Sequence, residues 1–126
     1  MCQFSDKFYA AVRTLSGDGP IKRRLATAYG DNLVLISDDE IPEAIRPRFE
    51  LLRRQMHSTR PMGQESPVVA SVRKMSGGDA AGCASLIVAM FSELVRVKAT
   101  GERLGLLRRE REKPPIGDGR NPASLN

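Results

Sequence analysis

Apolar residues recur at one-face helical spacing along most of this chain. Phe4, Phe8, Val12 and Leu15 set the first such stripe, over "SDKFYAAVRTL" (5–15). Ser5 is the expected N-cap, and Asp6 suits the positive helix end. The "SGDGP" that follows resists continuation, because glycine and proline disfavour helical backbone. Pro20 can then occupy the first position of a second helix running to Ser37, with Ile21, Leu25, Tyr29, Leu33 and Ile36 as its stripe. Gly30 inside it costs ~1 kcal/mol against alanine.

The next stretch, "DDEIPEAIRPRFELLRRQ" (38–55), reads as a corner. Ser37 and Glu40 stand at capping-box spacing, so a short helical turn starts there, with Asp38 and Asp39 beside its positive end. Pro47 would break a helix that simply continued, and the residue before a proline avoids helical angles, which makes Arg46 a boundary. A new helix is expected from Pro47 to about His57. Ile41, Ile45, Phe49, Leu52 and Met56 nevertheless keep one apolar course across the bend. Arg48, Glu50, Arg53 and Arg54 fall outside it, with Glu50 and Arg54 at ion-pair spacing worth a few tenths of a kcal/mol.

"STRPMGQESP" (58–67) has loop composition. A short helix, "PVVASVRKM" (67–75), opens at Ser66 and Pro67 with Val69, Val72 and Met75 directed inward. Ser76 with Asp79, or Gly78 alone, caps the last helix, which begins at residue 79. There Cys83, Leu86, Ile87, Met90, Leu94 and Val97 form one apolar stripe, and Ala84, Val88, Phe91 and Val95 a second beside it. Only Ser85, Ala89, Ser92 and Arg96 trace a small or polar strip. A helix apolar over most of its circumference is expected to be covered by several neighbours, in its own chain or across a dimer. From Gly101 the pattern decays into dense charge, then proline and glycine. The expected organisation is a single helical domain, 1–100, and a largely disordered tail, 101–126. The fold class is therefore all-α: a compact bundle of four to five helices around a central, apolar C-terminal helix.

Length and charge narrow the function classes. A chain of 126 residues suits one modest core. The net charge of +5 arises from 20 basic and 15 acidic residues spread along the chain. No segment concentrates the excess, as a dedicated nucleic-acid binder does. Arginine outnumbers lysine threefold, which points to a GC-rich, bacterial coding sequence. Cys2 and Cys83 form no CxxC pattern, and Cys83 lies in an apolar run, so a reduced, buried thiol is expected. "MCQFSDKFYAAV" carries Asp6 and Lys7 where a signal peptide needs an apolar run. "LIVAMF" (86–91) falls far short of the ~18 apolar residues of a membrane span. A soluble, cytoplasmic protein is the expectation.

Catalytic sets are sparse. His57 is the sole histidine and shares no ligand spacing with the cysteines, so neither a metal nor another cofactor is expected. "SDDE" (37–40) clusters carboxylates but lacks a calcium loop's alternating oxygens and glycine, and capping accounts for it. "GDGPIKRR" (17–24) puts a glycine loop at a helix start beside three cations, yet Pro20 removes an N–H and Asp18 repels phosphate. Leu25, Ala26, Tyr29, Gly30 and Ile36 approximate helix-turn-helix spacing, but the reading helix would then present Asp38, Asp39 and Glu40 to the phosphates.

The expected function is that of a non-catalytic protein that acts through a protein partner or self-association. Leu86, Met90, Phe91, Leu94 and Val97 are the expected oligomer interface. The alternative is a weakly specific nucleic-acid-binding accessory. Its phosphate contacts would come from Arg46, Arg48, Arg53 and Arg54, joined by Lys22, Arg23 and Arg24.

Overall fold

The computed structural model describes residues 3–112, and side chains over 4–101. The chain divides after Arg96 into two units, Met1–Arg96 and Val97–Asn126. Five α-helices run in the order α1 Gln3–Leu15, α2 Ile21–Asn32, α3 Arg46–Met56, α4 Pro67–Lys74 and α5 Gly77–Glu112, with short 3₁₀ turns at Asp38–Glu40 and Glu43–Ile45. No strand occurs among the described residues. The first unit is an all-helical bundle.

α1 begins at Gln3, so Ser5 lies within its first turn and is not the N-cap. Phe4, Phe8, Ala11 and Leu15 are buried, and Val12 packs at the margin. The Phe8 ring meets Phe4 at 5.2 Å and Phe49 of α3 at 6.0 Å, tilted in both cases. The turn after α1 depends on Gly19, whose φ of 100° is strained for any residue with a Cβ. Pro20 is the N-cap of α2 and precedes its first helical residue.

α2 ends at Asn32, earlier than its apolar pattern implies. The Asn32 side-chain amide donates to the Ala28 carbonyl at 3.1 Å, the Leu33 N–H makes an ordinary helical bond to the Tyr29 carbonyl at 2.9 Å, and the Val34 N–H takes that same carbonyl, five residues back, at 3.0 Å. The helical ladder ends at Val34, whose N–H no longer bonds the carbonyl four residues back. Leu33 and Ile36 remain buried although their backbone is no longer helical, while Leu35 is left exposed.

The corner departs from the expected one at Arg46, which precedes Pro47 yet takes helical angles (φ −56°, ψ −46°) and is the first residue of α3. The Ser37 N–H donates to Glu40 Oε1 at 3.3 Å, and the turn that follows is 3₁₀ rather than α. Pro47 sits in the first turn of α3, where its missing N–H costs nothing. Ile41, Ile45, Phe49, Leu52 and Met56 are all buried, so a single apolar course does pass through the bend.

Ser66 caps α4 by accepting from the Val69 N–H at 3.1 Å. In α4 Val68 and Val72 face the core, whereas Val69 is exposed, contrary to its expected inward role. Ser71 is buried, and its hydroxyl accepts from the Thr59 N–H at 3.1 Å, which ties the loop to α4. Ser76 and Asp79 cap α5 reciprocally: the Asp79 N–H donates to Ser76 Oγ at 3.0 Å, and the Ser76 N–H to Asp79 Oδ2 at 3.4 Å.

α5 packs along one side. Ala80, Cys83, Ile87, Met90 and Leu94 belong to the core, with Ala84, Leu86 and Phe91 half-buried at its margin. The second stripe is not covered: Val88 and Val95 are about half exposed. The covered sector is thus narrower than the sequence pattern implies. The helix continues past Gly101 to Glu112. Residues 113–126 of the expected tail, and Cys2, lie outside the described residues.

Candidate functional site

Two surfaces carry the expected functional residues. The first is an open cleft of about 740 Å³ between α3 and the segment after α2, lined by Val34, Ile36, Ser37, Asp38, Glu50, Arg53, Arg54 and His57. Beneath it the fully buried Tyr29 shares a hydrogen bond of 3.1 Å between its hydroxyl and His57 Nε2, the two rings meeting edge-on at 5.7 Å. Burial pushes the Tyr29 phenol up, opposed by the nearby Arg53 charge. Burial, aided by that same charge, holds the His57 imidazole below its ordinary value. A neutral imidazole on a neutral phenol is a stable packing pair. His57 Nε2 is engaged by the Tyr29 hydroxyl, while the ring itself is exposed at the cleft.

The expected phosphate contacts are mostly engaged within the chain. Arg53 binds the Asp38 carboxylate at 2.5 Å, reaches the Ile36 carbonyl and lies 5.1 Å from the Phe49 ring centre. Its pKa rises, chiefly through the hydrogen bond to Asp38. Arg46 donates to the carbonyls of Asp38 and Ile41 and pairs with Glu43 at 3.5 Å. Arg24 closes the α1–α2 turn through the carbonyls of Gly19 and Leu15, at 2.8 and 2.5 Å, so it turns away from the anion position that the glycine loop implied. Lys22 donates to the Arg73 carbonyl at 3.1 Å. Arg23, Arg48 and Arg54 have no partner among the described residues. The expected Glu50–Arg54 pair does not close.

The acidic cluster is likewise used internally: Asp38 holds Arg53, and Glu40 holds the Ser37 N–H. Among the described residues no three histidine, cysteine or carboxylate groups converge as metal ligands. Cys83 and His57 do not meet. The Cys83 thiol bonds Gln55 Oε1 at 2.9 Å, and burial together with the Asp79 charge raises its pKa, which disfavours the thiolate.

The second surface is the outer side of α5. Of the expected interface residues, Met90 and Leu94 are buried in this chain's own core, Leu86 and Phe91 lie at the margin, and only Val97 stands exposed. Tyr9 of α1 covers part of Phe91, ring centres 6.0 Å apart. The exposed positions from Ala81 to Val95 are Ala81, Gly82, Ser85, Val88, Ala89, Ser92 and Val95, and none carries a charge. The helix Gly77–Gly101 is long and apolar enough to cross a membrane by length and composition, with a mean hydropathy of 1.6 over its most apolar window and 28% of that window buried. Ser85, Ser92 and Glu93 interrupt its apolar run, so no long uninterrupted run marks it in the sequence. The spacing of residues 81, 85, 88, 92 and 95, alternating four and three, was the signal available in the sequence.

Comparison of the chain with known protein families, with curated proteins and with solved structures finds no match.

Proposed function

We propose that this chain is a non-catalytic interaction protein that works by laying the outer face of α5 against a helix of another polypeptide. One observation carries the reading: the most apolar helix of the chain keeps 28% of its apolar window buried and exposes an uncharged face. Exposed apolar strips bounded by polar residues mark association surfaces.

A lipid surface is the competing occupant, and side-chain size argues against it. Helices that lie in a bilayer interface gain their affinity from large apolar groups such as Trp, Phe and Leu. Here Ala81, Gly82, Ser85, Ala89 and Ser92 offer little area to lipid but permit close approach of a second backbone. The nucleic-acid alternative has less support, because Lys22, Arg24, Arg46 and Arg53 are engaged internally. On this reading the chain works as a soluble protein of the bacterial cytoplasm.

Site-specific photo-crosslinking in cells that make the protein tests this. A photoreactive phenylalanine analogue at Val88 should yield polypeptide adducts that the same probe at the exposed Arg48 of α3 does not. Lipid adducts alone, or none, from Val88 would overturn the reading.

A further inference from the structure

Resting on that reading, we infer that the partner helix is α5 of a second copy, packed antiparallel so that Arg96 of each copy reaches the acidic first turn of the other. The argument combines spacing with charge. Positions 81, 85, 88, 92 and 95 follow a 3.5-residue period, which keeps a seam in register with an identical helix. All five are exposed, and none is larger than valine.

Charge then selects direction and register. Between Ala81 and Val95 the exposed face is neutral, with exposed Asp79 before it and Arg96 at its end. The Arg96 side chain is 66% exposed and pairs with Glu93 in its own helix. A parallel, in-register pair would stack Arg96 on Arg96 across the dyad, which is repulsive. An antiparallel pair has two interdigitating registers. One sets Ser85 opposite the second copy's Val88, and Ala81 opposite its Ser92. This brings Arg96 within about 3 Å, along the helix axis, of the level of the second copy's Asp79. The other, shifted by one heptad, sets Arg96 against the second copy's uncharged Ala84 and Ser85, where nothing offsets its desolvation. The first register satisfies both the neutral seam and the charged ends.

The contact is small. About 21 Å of helix buries well under the roughly 800 Å² per partner of a standard stable complex. The pair is therefore reversible, forming at high micromolar concentration.

Disulfide trapping decides it. Ala81→Cys and Ser92→Cys are made separately in full-length protein carrying Cys2→Ser; Cys83 stays, since its side chain is 1% exposed. In the proposed register each new cysteine lies about 16 Å along the axis from its own counterpart, beyond disulfide reach, but opposite the other variant's. Mild oxidation of a mixture should give at least fivefold more covalent dimer than either variant alone. Covalent dimers of each variant alone would overturn the antiparallel register and leave the association surface standing. No covalent dimer, with wild type monomeric by sedimentation at millimolar concentration, would overturn self-pairing. The Val88 photo-crosslink would then tell whether a different polypeptide covers the face.

Discussion

Ile87 and Val88 are neighbours in sequence and opposites in space, and truncating each to alanine separates the covered side of α5 from the uncovered one. Ile87 is fully buried in the core, whereas Val88 is 47% exposed. Ile87→Ala removes three carbons from a packed site, about 2.4 kcal/mol at ~0.8 kcal/mol per buried methylene. The residual cavity raises the expected loss into the range of about 2.5–4 kcal/mol. Val88→Ala removes two carbons, each already half in water, for about 0.8 kcal/mol. Alanine's better helix propensity returns roughly 0.5 kcal/mol, so the net change is within about 0.5 kcal/mol. Urea unfolding at low micromolar protein, below the concentration at which association adds stability, reads the two values directly. A Val88→Ala loss equal to that of Ile87→Ala would mean that the outer face is covered within the chain. An Ile87→Ala loss under about 1 kcal/mol would mean that α5 is not part of the core. Either result refutes the reasoning on which the association surface rests.

Two further outcomes follow from the cleft and the corner. His57 is held below 6.5 by burial and by Arg53, so the unfolded chain takes up its proton first as the pH falls. The His57 contribution to stability is intact above about 6.5, the ordinary value, and is lost as the pH drops through it toward the folded value. Wild type should therefore lose more thermal stability between pH 7 and pH 5 than His57→Asn, and equal slopes in melting scans would contradict this. Arg53→Gln removes a partly exposed ion pair, a bond to the Ile36 carbonyl and a guanidinium over Phe49. It should cost about 1 kcal/mol after solvent screening, and a loss under about 0.3 kcal/mol in urea titration would show that these contacts hold nothing together.

The parts of the fold legible from sequence are those that one residue's covalent chemistry decides. Pro47 cannot donate a hydrogen bond, so the corner had to fall where it does, and the course from Ile41 to Met56 could be followed through it. The parts that were not legible turn on competition between near-equal alternatives. Asn32 could have pointed to solvent, but it takes the Ala28 carbonyl, and α2 stops several residues before its stripe does. In α4, Val68 and Val69 are adjacent, and either can share a face with Val72. The short helix is oriented by Ser66 and by the loop bond from Thr59 to Ser71, and that bond joins residues far apart in sequence. For α5 the apolar pattern alone cannot say how many neighbours the rest of the chain supplies.

The arginines and α5 together invert the first impression that each gives. Basic residues between positions 22 and 54 resemble a ridge poised for phosphate. Yet irregular connectors and helix ends leave backbone carbonyls without intrahelical partners, and these must be satisfied. A guanidinium, with five donors, is well suited to the task. Arg24 serves the carbonyls of Leu15 and Gly19, Arg46 that of Ile41, and Arg53 that of Ile36, while Lys22 serves that of Arg73 at the end of α4. Withdrawing such a side chain to meet a phosphate would expose a cost at the connector it closes. The apolar helix does the reverse: its pattern looks like interior, yet Val88 and Val95 are each about half exposed. Lys22, Arg24, Arg46 and Arg53 are thus tied to backbone carbonyls, while Arg23, Arg48 and Arg54 have no partner among the described residues, and the exposed face of α5 is neutral and small-residued. A neutral face has no charge to desolvate when it excludes water against another helix. That asymmetry, rather than the net charge of +5, is the physical reason to look for a protein partner on α5.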